Sequence, residues 1–159
     1  MNLEKSSTTP SKILPKWPAV VFALASFAGF LDASYLAAKF YLGGPIPCSI
    51  LNGCEKVTTS EYATIFGVSI ALFGAIYYLS ILILTIAHLD TKKMSLLYIA
   101  SLFTFIGFLF SLRFLYLQLF VIHALCLYCL FSLFTSSLLF ITGLVVLKYR
   151  HDINRNTGA

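Results

Sequence analysis

The sequence predicts an all-α integral membrane protein, a four-transmembrane-helix bundle with both termini cytoplasmic. Three observations carry that prediction: hydropathy, the lengths of the apolar runs, and the placement of the basic residues. Of 159 residues, 59% are hydrophobic and only 11% are charged, against roughly 25% charged in soluble domains. Mean hydropathy is +0.90. A spanning helix takes about 20 apolar residues, so the chain has room for several spans and almost nothing else. The formal charge of +5 sits at the ends of the apolar runs and leaves no separate basic face, which argues against nucleic acid as a partner and for membrane lipid.

Residues 1–16 are polar, with three lysines (Lys5, Lys12, Lys16), and read as a disordered cytoplasmic tail. The membrane redox domain is expected over 17–148. Its first span begins near Pro18 and continues through Asp32 to about Leu42, with Lys39 snorkelling outward. A basic tail before a short apolar run also describes a signal peptide, but apolar character resumes after Asp32 and no convincing cleavage site precedes a polar region. A loop over 43–60 follows, rich in turn formers and carrying two cysteines. The second span is expected from about Thr64 to His88, and Asp90 to Lys93 reads as a tight turn. Met94 to Leu147 is almost continuously apolar and would be about 80 Å long as one helix against a core of about 30 Å. It must fold back, and Arg113, Gln118 and His123 place the reversal between about Arg113 and Ala124. Residues 149–159 read as a second cytoplasmic tail.

Four spans put both termini on one side. The N-terminal tail, Lys92-Lys93 and the C-terminal Lys148, Arg150 and Arg155 hold eight of the eleven Lys and Arg residues. The positive-inside bias makes these segments cytoplasmic, which sends the 43–60 loop and the Arg113–Ala124 reversal outside.

All four cysteines then face the oxidising side. Cys48 and Cys54 form C-x5-C in the loop, and Cys126 and Cys129 form C-x-x-C in the first turns of the fourth helix. A helix N-terminus stabilises a thiolate, and C-x-x-C brings two sulfurs close enough to interchange with a disulfide. The loop pair alone reads as a structural disulfide. With a second pair at the same depth it also reads as a shuttle, collecting electrons outside and handing them to the membrane pair by thiol–disulfide exchange. A third reading is a metal site in which His123, Cys126 and Cys129 are joined by Cys48 or Cys54. That site, or cysteines that only brace the fold, would make the protein a non-enzymatic membrane protein. Asp32 is an ionisable group in a span, which places it either near the redox site or at the interface in a hydrogen bond to a neighbouring helix. The many Phe and Tyr residues face lipid or pack, with a minority free to line a pocket.

These residues resemble the vitamin K epoxide reductase family, specifically its bacterial quinone-linked members. The resemblance lies in Leu31-Asp32-Ala33-Ser34-Tyr35-Leu36, Cys48-x5-Cys54, Ser60, Phe66-Gly67 opening the second helix, and Ala124-Leu125-Cys126-Leu127-Tyr128-Cys129. It implies a four-helix bundle around a quinone, menaquinone or ubiquinone, with Cys129 nearest the ring and Cys126 exchanging with the loop. It further implies that Cys54 relays to Cys126 and that Cys48 receives electrons from a thioredoxin-like extracytoplasmic protein. Ser60 matches a loop hydroxyl that positions the loop or the quinone head group, with a helix N-cap or turn residue as the plain alternative. With Asp32 it is the candidate for quinone contact.

The implied setting is a bacterial inner (cytoplasmic) membrane, where a multi-pass enzyme passes electrons from thiol to quinone and so supports disulfide formation. The chain departs from the animal enzymes at Leu133, where they place a Tyr, and near Ile70, where it lacks their second-helix Asn. A plain quinone acceptor is therefore expected rather than an epoxide. Many bacterial relatives carry a fused thioredoxin-like domain, whereas this sequence stops soon after Arg155, so the thiol partner is expected to be a separate protein. Other four-helix disulfide-forming quinone reductases keep their C-x-x-C in the first outer loop, unlike this sequence.

Overall fold

A computed structural model describes residues 17–43 and 54–157. The expected tail over 1–16 and the part of the loop that carries Cys48 lie outside the described residues. Among the described residues, four helices are long and apolar enough to cross a membrane, as expected.

Helix α1 (Trp17–Leu42) buries a stripe of mostly small residues, including Ala25, Ser26, Gly29, Ala33 and Ala37, and presents Val20, Leu24, Phe27 and Leu31 outward. The outward face is the more apolar one. That inversion is the membrane pattern: lipid accepts the large side chains, and small residues let the helix backbones approach.

A short helix α2 (Cys54–Thr58) and a 3-10 turn (Glu61–Ala63) follow. Next comes a two-stranded hairpin of β1 (Thr64–Ile65) and β2 (Val68–Ser69), with Thr64 paired to Ser69 and Ile65 to Val68. The second span was expected to start near Thr64, with Phe66-Gly67 opening it. Instead Phe66 (φ 53°) and Gly67 (φ 79°) form the hairpin turn, because two successive positive φ angles suit a two-residue turn and no right-handed helix. The hairpin is tied to α1 by the Ser69 N–H, which donates to the Tyr41 hydroxyl at 3.5 Å.

Helix α3 (Ile70–Thr91) ends at Lys92, whose left-handed backbone directs its N–H to the His88 carbonyl at 2.8 Å. Helix α4 (Met94–Tyr116) begins two residues later. The reversal expected between about Arg113 and Ala124 falls at the far end of that interval. Arg113 lies exposed on α4, and the chain stays helical through a π-helical segment, Leu117–Ile122. It turns at His123, where φ is +51°, and α5 (Leu127–Thr157) follows. The backbone needs its internal hydrogen bonds as far as the membrane edge, so helix persists past Arg113 and Gln118.

Helices α1, α3, α4 and α5 close a ring in that order, with α1 also packed on α5 and the α3–α4 seam the least extensive. The core centres on Phe22, Tyr78, Ile81, Leu97, Leu139 and Val146. The C-terminal ends of α1 and α4, the N-terminal ends of α3 and α5, α2 and the hairpin gather at one end of the bundle, here the cysteine end.

Candidate redox site

The turn before α5 presents the membrane cysteines. Cys126 stands at the N-cap position, and its carbonyl accepts the Leu130 N–H at 3.0 Å. Its own N–H donates to Oε1 of the buried Gln118 at 2.9 Å, while the Gln118 carbonyl accepts the Ala124 N–H at 3.1 Å. Gln118 thus grips the turn at two points. The π-helical segment widens the helix where this side chain reaches across, a frequent use of such bulges. Sequence reasoning used Gln118 only to mark the reversal and missed this role.

Cys126 lies between the third and fourth spans and is fully buried. Its thiol is held down at about 7, chiefly by a hydrogen bond from the Cys129 thiol and further by the Cys129 and Tyr128 backbone N–H groups, against the opposing effect of burial. A helix N-terminus offers such unpaired N–H donors to an anionic sulfur.

Cys126 shares a buried cluster with Cys54, Val57, Leu117 and Ile122. Cys54 is disulfide-bonded, whereas Cys126 and Cys129 are free thiols. A disulfide sulfur and a thiol with a lowered pKa therefore belong to one buried group at the cysteine end.

One turn further along α5, Cys129 lines a cavity of about 600 Å³, within the range of small-molecule sites. The cavity lies between the four long helices, under a roof made by α2 and the hairpin, with a mainly apolar wall. Asp32 lines it too and is close enough to Cys126 and Cys129 to interact electrostatically. Ser60 is not part of the wall. Its hydroxyl donates to the Val57 carbonyl at 2.7 Å and its carbonyl accepts the Ala63 N–H at 2.9 Å, so it holds the end of α2.

Two neighbouring tyrosines on the wall differ sharply. Tyr78 packs its ring against Gly29, where a methyl group would collide with it. Its hydroxyl lies 2.9 Å from the Ser132 carbonyl and 2.9–3.0 Å from the hydroxyls of Ser132, Thr135 and Ser136. Ser111 extends this network from α4 to Ser136 at 3.0 Å. The Tyr77 hydroxyl is buried with no hydrogen-bond partner. Neither tyrosine stood out in the sequence, because both sit among many aromatic residues in an apolar run.

Among the described residues no group of three or more His, Cys, Asp or Glu side chains converges on a metal-sized site. His123 is exposed at the turn.

No curated protein matches the sequence. A model of the Vitamin K epoxide reductase family matches residues 20–144, a stretch that includes the cavity wall and all four cysteine positions. The chain belongs to the vitamin K epoxide reductase family and is a multi-pass membrane thiol oxidoreductase.

Proposed function

We propose that the protein takes electrons from an extracytoplasmic thioredoxin-like protein through Cys48 and Cys54, passes them to Cys126 and Cys129, and delivers them to a quinone in the cavity. The carrying observation is the division between two cysteines one turn apart. Cys126 faces the buried cluster that contains Cys54, and Cys129 faces the cavity.

The exchange balances. A reduced partner donates two thiols, a disulfide forms on the partner, and the Cys48–Cys54 disulfide of this scheme opens to two thiols. The Cys54 thiolate attacks the Cys126 sulfur of an oxidised membrane pair, and Cys48 then resolves the mixed disulfide, leaving Cys126 and Cys129 reduced. The thiols of Cys126 and Cys129 with an oxidised Cys54 correspond to the state in which the loop has handed on its electrons.

The cavity fits a quinone head group by volume, by its apolar wall and by the sulfur at its edge. A bound quinone supplies an acceptor for two electrons and two protons. In this scheme the Cys126 and Cys129 thiols close to a disulfide as their two electrons and two protons pass to the acceptor beside Cys129, Asp32 lines the cavity next to the pair, and Ser60 acts by pinning the roof through Val57.

The orientation follows the charges: Lys92, Lys93 and Arg150 belong to the end opposite the cysteines, which favours a cytoplasmic placement of that end in a bacterial inner membrane.

Anaerobic mixing of purified protein with a reduced thioredoxin-like donor and a soluble quinone tests the relay. Quinol should form in step with donor oxidation. Donor oxidation that stops after one disulfide per molecule, without quinol, would remove the quinone from the scheme.

A further inference from the structure

Asp32 is partly exposed and, with Leu36 and Phe40 one and two turns further along α1, helps form the α1 side of the cavity. Among the described residues lining that cavity there is no other Asp, Glu, His, Lys or Arg. The titratable groups that face Asp32 all come from the start of α5: it interacts electrostatically with Cys126, Cys129 and Tyr128.

A carboxyl group in a span is costly and is normally paired or hydrogen-bonded. Asp32 makes no hydrogen bond and no ion pair with any described residue. Lys39, the one cation of α1, lies two turns away with its Nζ over the Tyr35 ring, 5.8 Å from the centroid. The bond to a neighbouring helix that would make Asp32 a structural residue is therefore missing among the described residues. What lies beside the carboxyl group is a pair of thiols and the cavity.

Two thiols that close to a disulfide give up two protons along with two electrons. A cavity with a mainly apolar wall offers those protons few acceptors. Tyr78 is engaged with α5 and Ser111 with Ser136, Tyr77 is packed onto Gly107, and the Tyr128 ring lies against Tyr35 with centroids 5.4 Å apart. Neutral hydroxyls are in any case poor bases, whereas a carboxylate takes up and releases protons readily.

We propose that the Asp32 carboxylate is the proton carrier of the reaction, taking the proton of each thiol in turn and passing it to an oxygen of the acceptor. This rests on the quinone reading above. Two S–H bonds break and the Cys126–Cys129 S–S bond forms. The pair loses two electrons, the acceptor gains two electrons and two O–H bonds, and Asp32 ends as the carboxylate it was at the start.

The test uses full-length protein in lipid nanodiscs, reduced with dithiothreitol, freed of the excess and mixed anaerobically with menadione. Menadiol formation is followed in a single turnover. At saturating menadione, Asp32→Asn should slow the reaction about a hundredfold or more, within the range for losing a positioned acid–base group. The menadione concentration at half-maximal rate should stay nearly unchanged, which separates proton transfer from binding. Asp32→Ala should be slowed as much, and because it leaves room beside the thiols, added formate should restore part of its rate in proportion to concentration. Formate should leave the wild-type rate as it is.

The sign of the effect separates a carrier from a charge. A carboxylate that acted only by its charge would hinder thiolate formation beside it, so asparagine would then speed the reaction. An unchanged or raised rate in Asp32→Asn would overturn the proposal, as would slow variants that formate does not rescue. The quinone reading fails separately: wild-type protein that forms no menadiol removes the acceptor and the proton carrier together, whereas equal menadiol formation by wild type and Asp32→Asn removes the carrier alone.

Discussion

Away from the cysteines, Ser26, Thr85, Ser101 and Thr142 each return their hydroxyl to a carbonyl one turn back in the same helix. At the cysteine end, Tyr78, Ser111 and Gln118 bond to a different helix or to the turn beyond their own. A hydroxyl satisfied within its helix behaves as a small, nearly apolar side chain. Helices carrying it pack tightly around Phe22, Ile81, Leu97 and Leu139. A hydroxyl bonded across helices fixes a spacing instead, and in lipid the unpaired alternative is costly. The first half of the bundle is therefore closed, and the second is held together around a cavity.

The largest expected effect lies in the cavity half. Cys129→Ser should abolish quinol formation while leaving the fold intact, since a serine oxygen offers no exchangeable sulfur. Undiminished quinol formation by this variant would move the acceptor contact elsewhere.

The closed half should respond in the opposite sense. Leu139→Ala removes a fully buried side chain and should cost about 2–5 kcal/mol of stability, with activity per folded molecule kept. Thermal melting in detergent, paired with single-turnover quinol yield, separates the two quantities. A loss of yield at full folding would show that the halves are coupled.

Gln118→Leu comes next. It leaves the Cys126 N–H buried and unpaired, at about 1–3 kcal/mol, and loosens the turn that presents both thiols. We expect a modest fall in melting temperature and a larger fall in turnover, the reverse of the Leu139→Ala ratio. Equal falls in both would reduce Gln118 to a packing residue.

The smallest effect concerns pH. With its thiol held at about 7, Cys126 gains thiolate as pH rises through that value, so its alkylation by iodoacetamide in reduced protein should reach half its maximal rate near there. Cys129→Ala removes the main hydrogen-bond donor, and the midpoint should then rise toward the ordinary thiol value of about 8.5. An unmoved midpoint would transfer the effect to the Tyr128 and Cys129 backbone N–H groups.

Much of the site was legible before the fold. Cys54, Cys126 and Cys129 stand out because cysteines in two spaced pairs are rare in an apolar chain, and Asp32 because a carboxylate in a span is costly. Tyr77, Tyr78, Gln118 and Gly107 were not legible. One tyrosine of nine and one phenylalanine of fifteen look alike in an apolar run, and whether a hydroxyl is paired depends on residues more than fifty positions away, as Ser132 and Ser136 are from Tyr78.

By itself, the sequence determined the membrane class, the number of spans, the approximate ends of α1, the end of α3 and the start of α4, because each depends on how many consecutive residues lipid will accept. It also marked the C-x-x-C at a helix start, a matter of local spacing. Tertiary structure decided where the chain reverses, since a π-helical segment carries the helix past Arg113 to Ile122. It turned Phe66-Gly67 into a hairpin that roofs the cavity, and it set Cys126 toward Cys54 and Cys129 toward the cavity. These outcomes depend on which side chains from distant segments meet, and hydropathy along one chain carries no record of that.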